Sequence, residues 1–295
     1  MQDNKRATDV NQQIDILKSR GMVIDDDQKA KEYLLNIGYY RLGFYWFPFE
    51  KTYPKKTNRD HELKSGTKIE YAIRLYYFDF DIRNLFLRYI SRIEINFRTK
   101  VIYIASNHFS GDPFWYADPS KFKTGFVSSP KYQAALNELQ KESVIAHDLK
   151  KYGRKYSPAW KAIEHMTFGT VICIYENLAD AKLKSIIAKE FGISSSKAFS
   201  NYINTIRRLR NHCAHGKVLF DMKFQQAISS KEVKPGDGKT KLSGAYMVLK
   251  YMLGAVSVRR KNDLSGAMRA IFSGIDSKEV RDVIEKCSGL NDKLL

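Results

Sequence analysis

The residues best suited to chemistry lie together in the segment RRLRNHCAHG, which runs from Arg207 to Gly216. It holds three arginines, two histidines, an asparagine and a cysteine within ten residues. Histidine exchanges protons near neutral pH, whereas arginine keeps its charge and binds phosphate through two parallel hydrogen bonds. The segment therefore combines groups that can move a proton with groups that can hold a phosphate.

These residue types suit the cleavage of RNA by its own 2′-hydroxyl. The reaction needs a base that removes the hydroxyl proton, a cation beside the phosphate oxygens and an acid for the leaving 5′-oxygen. Histidine fits the first and third roles, arginine fits the second, and Asn211 can orient the imidazole of His215 or the phosphate. The same composition also fits a helix end that only satisfies carbonyl groups and the helix dipole. Spacing alone leaves both interpretations open.

Apolar spacing places the segment on a helix that follows a cluster of serines. The residues of its apolar stripe are Phe199, Tyr202, Ile206, Leu209 and Cys213. At about 100° per residue, Arg207, Asn211 and His215 then share the opposite face, and Arg208 and His212 flank them.

Arg210 fits this arrangement less easily, because on an ideal helix it lies about 140° from His215. Three solutions are possible. The helix can loosen near Gly216, the long side chain of Arg210 can reach round, or a second protomer can complete the site.

Metal and nucleotide sites are the competing interpretations of the sequence. His212, Cys213 and His215 could ligate a metal, but zinc usually takes four ligands and no second pair has a suitable spacing. The segment GDGKT (236–240) resembles part of a phosphate-binding loop, yet Val233 replaces its first glycine and no strand precedes it. We therefore expect no metal and no cofactor.

The composition predicts a globular chain with a polyanionic partner. Hydrophobic residues make up 43%, and 50 Lys and Arg against 32 Asp and Glu give a net charge of +18. The three cysteines are scattered, and neither a signal region nor an apolar run long enough to span a membrane is evident. These features favour a cytoplasmic protein with reduced thiols that binds nucleic acid.

The apolar periodicity predicts an all-α protein. Its longest helix is expected over 67–105, and another is expected to begin with Ser157 as N-cap and Pro158 at the first helical position. The aromatic segment GYYRLGFYWFPFE (38–50) reads as part of the core, with base stacking by Tyr39, Tyr40 or Tyr45 as the alternative. We predict a main domain over 1–225, a polar linker over 226–244 and a small helical appendage over 245–295.

The segment RNHCAH (210–215) resembles the R-x(4–6)-H signature of the HEPN superfamily. The wider chain resembles the Abi-like (AbiD/AbiF) abortive-infection family from near Thr8 to about Phe220. The matching stretches are GYYRLGFYWFPF, FDFDIRNLFLRYISRIEINFR, DPFWYADPSKF, SPAWKAIEHMTFGTVICIYENL and RRLRNHCAH. Several separate blocks in the same order make this resemblance specific.

The resemblance implies an all-helical HEPN bundle with a long central helix. It also implies a metal-independent endoribonuclease that acts as a toxin in bacterial antiphage defence. Arg210, Asn211 and His215 would be catalytic, with Arg207, Arg208 and His212 binding RNA or supporting them. The family further suggests a homodimer in which two motifs face each other, and a structured non-coding RNA as antitoxin. The alternative function is a non-catalytic RNA-binding or phage-sensing module.

Overall fold

A computed structural model describes residues 6–295 of the chain, and in this range the regular structure is helical. The helices are α1 Val10–Ser19, α2 Asp27–Ile37, α3 Tyr39–Trp46, α4 Ile69–His108, α5 Pro130–Lys141, α6 Ser143–Tyr152, α7 Ala159–Ala162, α8 Phe168–Asn177, α9 Ala181–Lys189, α10 Ser196–Ala214, α11 Leu242–Val256, α12 Val258–Ser273 and α13 Lys278–Ser288. Short 3₁₀ turns and isolated β-bridges join them. The predicted all-α bundle is confirmed.

The long helix α4 is the axis of the bundle. It extends about 60 Å at 1.5 Å per residue, and its bounds lie within a few residues of the predicted 67–105. Most apolar side chains of α4 are buried, with Ile82, Ile93 and Phe97 fully enclosed. Helices α3, α9, α10, α11, α12 and α13 all pack against it.

An aromatic cluster around Phe97 fixes α10 on α4. The ring of Phe97 lies 5.8 Å from that of Phe199 on α10 and 6.0 Å from that of Tyr175 on α8. Phe168 and Phe191 complete the cluster. Removing a buried ring of this kind costs about 3–5 kcal/mol, so the cluster holds the direction of α10 firmly.

Side-chain caps begin several of the helices, but not the one predicted to start at Ser157. Asp9 caps α1 in a reciprocal capping box with Gln12. The prediction for Ser157 and Pro158 is wrong, because Pro158 is itself the cap residue of the short α7. The hydroxyl of Ser157 instead donates to the carboxylate of Asp148 at 2.6 Å.

The three last helices share the core of the bundle. The ring of Tyr246 on α11 stacks on Phe86 of α4 at 6.0 Å, and that of Tyr251 lies 6.3 Å from Tyr202 of α10. The predicted division into a main domain over 1–225, a linker over 226–244 and an appendage over 245–295 stays a prediction.

The segment 226–244, predicted as a polar linker, also packs against the bundle. Ile228 and Val233 are buried, and the backbone N–H of Val233 donates to the hydroxyl of Tyr202 at 2.9 Å. Gly238 and Gly244 let two backbones approach so closely that a Cβ at Gly244 would collide with the Gly238 carbonyl oxygen. The segment therefore joins α10 to α11 through specific contacts.

Candidate functional site at the end of helix α10

Helix α10 buries its predicted apolar stripe and carries the polar residues of the motif on its other faces. Ser195 caps its N-terminus by accepting from the N–H of Ala198, and all five predicted stripe residues are buried. Arg207, Arg208, Arg210, Asn211 and His212 are half-buried on the remaining faces, and His215 is exposed. The sequence thus folds so that its apolar stripe fixes the helix while the polar groups stay accessible.

The helix ends just before His215. Ala214 is its last residue, His215 is the C-cap, and Gly216 adopts a positive φ of 61°. The chain leaves the helix at Gly216, while the N–H of His215 still makes the helical bond to the carbonyl of Asn211 at 3.1 Å. How Arg210 and His215 act together stays a prediction.

The turn after His215 is held by an arginine from another helix. Nη1 of Arg41 on α3 donates to the carbonyl oxygen of Gly216 at 3.0 Å. The N–H of Lys217 donates to the carbonyl of His212 at 2.9 Å, which closes the turn on the helix side. These bonds connect the end of α10 to α3, although the two segments lie far apart in sequence.

A buried polar cluster on α4 holds the chain that follows. The carboxylate of Asp79 accepts from the N–H of Leu219 at 2.9 Å and from that of Phe220 at 2.7 Å. Nη1 of Arg83 donates to the same carboxylate at 2.6 Å, and the hydroxyl of Tyr45 donates to it at 3.1 Å. We call Tyr45, Asp79 and Arg83 the α4 clamp.

The donors around Asp79 suit a carboxylate that carries its charge. Burial raises the pKa of Asp79 to about 6, although the backbone donors and Arg83 pull it in the opposite direction. The hydrogen bonds and the ion pair thus offset much of the cost of enclosing the charge. At pH 7 the carboxylate is an acceptor only, which is what two backbone N–H groups require.

His212 is the second histidine of the site and has a defined tautomer when neutral. Its Nδ1 lies 3.1 Å from the carbonyl oxygen of Arg208. A carbonyl only accepts, so Nδ1 carries the hydrogen and Nε2 keeps a free lone pair. Partial burial lowers the pKa of His212, and the charges of Lys217, Arg208 and His215 lower it further.

Arg210 leans on α4. Its Nε lies 3.8 Å from Oε2 of Glu94, and its side chain is 40% exposed. Oε1 of Glu94 accepts from Nη2 of Arg98 at 3.5 Å, so one carboxylate is shared by two arginines. Glu94 therefore orients Arg210 but neutralises its positive charge only in part.

Arg207 belongs to a separate cavity of about 440 Å³ between α5, α8 and α10. Its Nε donates to Oδ1 of Asn204 at 3.1 Å, and the amide of Asn204 donates to Glu176 at 2.6 Å. Although Arg207 shares a helix face with His215, two helical turns separate them, about 12 Å along the axis. The structure thus gathers His212 and His215 at the end of α10 and leaves Arg207 at a distance.

Sequence reasoning missed the α4 clamp, Arg41 and the contact of Glu94 with Arg210. One signal was present for the clamp, because Asp79 and Arg83 stand four residues apart on the buried side of a helix that is otherwise apolar there. Charged residues on a buried face usually have partners. The identity of their partners, however, could not be read from the spacing.

Within residues 6–295, no three His, Cys, Asp or Glu side chains come together as a metal site would require. None of the helices in this range combines the length and the apolar character of a membrane span.

Comparison with known families gives a match to the Abi-like protein family over residues 32–221. The chain belongs to this family. The match ends close to the end of the predicted resemblance. Its first residue is 32, whereas the predicted resemblance starts near Thr8, so α1 lies outside the match. No curated protein and no solved structure matches the chain.

Membership of the Abi-like family suggests a role in abortive infection. The matched residues include the motif on α10, the α4 clamp, Arg41 and the chain up to Phe220. They exclude α11, α12 and α13. The site and the elements that position it are thus parts of the Abi-like region.

Proposed function

We propose that this Abi-like protein is a HEPN-type endoribonuclease that cleaves RNA without a metal and acts as a toxin in antiphage defence. The observation that carries the proposal is the accessible end of α10, where Arg210 and Asn211 lie on the last turns of the helix and His215 caps it. Arg41 and Asp79 hold the chain that follows. A helix end that only satisfied its own carbonyls would need no such support.

Each residue of the motif has a role that its surroundings support. His215 is exposed and can transfer a proton, whereas Arg210 carries a charge that can meet a phosphate of the RNA. Asn211 lies one turn before His215 and can orient the imidazole or the phosphate. His212, with its lowered pKa and free Nε2, supplies a base beside them.

The reaction balances with these groups alone. A neutral histidine takes the proton of the 2′-hydroxyl, the 2′-oxygen forms a bond to phosphorus, and the bond from phosphorus to the 5′-oxygen breaks. A protonated histidine supplies a proton to that 5′-oxygen. The products are a 2′,3′-cyclic phosphate and a 5′-hydroxyl, and Arg210 stabilises the charge on the phosphorus oxygens.

The net positive charge of the chain supports RNA as its partner. The RNA would be the substrate and also a structured regulatory RNA. With a net charge of +18, the chain attracts polyanions at long range. Arg207 and Arg208 extend the positive surface along α10 from the proposed centre. Binding should therefore weaken steeply as salt rises.

We also propose that the working unit is a homodimer with the end of α10 near its two-fold axis. Exposed apolar side chains on α4 support this arrangement. Tyr77, Phe80 and Ile95 are 47%, 44% and 55% exposed, and Ile95 directly follows the Glu94 that contacts Arg210. A two-fold axis brings one such surface against its copy and would place two His215 side chains in one cleft.

Inducible expression in bacterial cells tests the proposed function. Wild type should arrest growth and fragment RNA, and His215→Ala should do neither. His147→Ala is the matched control, because His147 is also an exposed histidine but lies on α6. Equal toxicity of wild type and His215→Ala would favour the non-catalytic RNA-binding or phage-sensing module.

A further inference from the structure

A cavity of about 460 Å³ lies beside the end of α10. Its walls come from α3, from the loop that follows α3, and from the chain directly after the motif, including Val218, Phe220 and Asp221. We call it the α3 pocket. Its size suits a single planar ring system with its sugar.

The walls of the α3 pocket are rich in aromatic side chains that remain accessible. Tyr40 is 82% exposed and Phe44 is 47% exposed, with ring centroids 5.3 Å apart in an edge-to-face arrangement. Tyr39 and Phe47 line the same pocket. Exposed aromatic rings beside a cavity are typical of surfaces on which nucleobases stack.

Positive charge surrounds these rings. Nη1 of Arg20 donates to the hydroxyl of Tyr39 at 3.0 Å, which holds the guanidinium at the rim, and exposed Lys56 lines the same pocket. The guanidinium of Arg59 stacks on Phe47, with 4.3 Å between its central carbon and the ring centroid, and pairs with buried Glu50. Arg20 and Lys56 thus supply the positive charge for a phosphate.

The pocket is lined in part by the chain that leaves the motif. Arg41, which follows Tyr40 on α3, donates to the carbonyl of Gly216, the residue after His215. Val218 and Phe220, which lie on the chain between the motif and Asp221, line the pocket itself. A strand whose base enters the pocket would therefore pass His215 within a few nucleotides.

We propose that the α3 pocket binds one unpaired nucleobase of the RNA and so selects the position of cleavage. The proposal rests on the proposed function for its ligand. The base stacks on Tyr40, while Arg20 and Lys56 meet the adjoining phosphates. A double-stranded RNA cannot enter, because its bases are paired and stacked.

Asp221 gives the pocket a preference among bases. Its carboxylate accepts hydrogen bonds only, and Lys223 holds its Oδ1 at 3.2 Å. Adenine, cytosine and guanine carry an amino group that donates, whereas the Watson–Crick edge of uracil places an acceptor on each side of its one donor. We expect the pocket to disfavour uracil for this reason.

Binding of short RNAs to the His215→Ala protein tests the pocket without cleavage. The probes are fluorescent single-stranded oligo(A) and oligo(U) of equal length and an RNA duplex. Oligo(A) should bind more tightly than oligo(U) and the duplex. Adding Tyr40→Ala should weaken oligo(A) binding roughly tenfold, since base stacking is typically of that size, and Tyr40→Phe should retain it.

Tyr103→Ala is the matched control, because Tyr103 is 68% exposed on the distant half of α4. Tyr103→Ala should leave RNA binding unchanged. Asp221→Asn should reduce the difference in affinity between oligo(A) and oligo(U). Equal binding by Tyr40→Ala and its parent, or no binding of single-stranded RNA, would overturn the pocket. If RNA binding depends on Tyr40 but the wild-type protein does not cleave RNA, only the proposed nuclease activity would be overturned.

Discussion

Asp79 accepts a hydrogen bond of 2.7 Å from the backbone N–H of Phe220, a residue 141 positions further along the chain. This bond joins the middle of the bundle to the segment that leaves the motif. The carboxylate lies outside the motif and holds the chain that follows His215. The α4 clamp thus supports the segment that leaves the proposed centre.

Replacing Asp79 by alanine should destabilise the fold by about 3–5 kcal/mol, because Arg83 would remain buried without its partner. Asp81→Ala is the matched control, since Asp81 is exposed on the same helix and should cost less than about 0.5 kcal/mol. Urea unfolding measures both values. Similar midpoints for the two variants would show that the clamp does not stabilise the protein.

His212 should make stability fall at acid pH. Its pKa is lowered in the fold, so the unfolded chain, with a pKa near 6.5, takes up the proton first. The contribution of His212 to the free energy of unfolding is fully present above about pH 6.5. It is lost as the pH falls through the pKa of His212 in the folded protein. Thermal unfolding of wild type and His212→Gln between pH 5 and 8 should show wild type losing more stability toward pH 5. Parallel curves would contradict the assignment.

Deleting the chain after Phe224 should unfold the protein instead of removing an appendage. The deletion exposes Phe86 and Tyr202, which α11 covers, and removes Tyr246, Leu249 and Met252 from the core. Each large apolar side chain contributes about 1.5–3 kcal/mol, and the whole fold is typically stable by only about 5–15 kcal/mol. Circular dichroism and a thermal melt provide the measurement. A truncated protein with a cooperative transition would establish residues 1–224 as an independent domain.

Mixing wild type with His215→Ala protomers tests the shared cleft. If two His215 side chains serve one site, mixed dimers should be nearly inactive and activity should fall with the square of the wild-type fraction. Mass measurement in solution shows whether dimers are present. Activity that falls only in proportion to that fraction, or a fully active monomer, would rule out the shared cleft.

The sequence predicted the elements whose signals are local. The stripe from Phe199 to Cys213 and the serine cap define α10, because helix periodicity and capping act between residues three or four apart. The apolar periodicity of α4 acts over the same short range. Both helices and their buried faces could therefore be placed from the amino-acid pattern alone.

The supports of the site could not be predicted, because they join residues that are distant in sequence. Arg41 reaches Gly216 across 175 positions, and no pattern along the chain marks that pair. The buried contacts of 226–244 could not be predicted for a different reason. The polar composition of 226–244 hides Ile228 and Val233, whose burial depends on Tyr202 and on α11.

The chemistry of the cleaved ends tests the proposed nuclease most directly. Purified wild type is incubated with a single-stranded RNA in EDTA, and the termini of the products are identified. Cleavage through the 2′-hydroxyl by Arg210 and His215 predicts 2′,3′-cyclic phosphate and 5′-hydroxyl ends, produced by His147→Ala and not by His215→Ala. Products with 3′-hydroxyl ends, or cleavage that chelation abolishes, would contradict it.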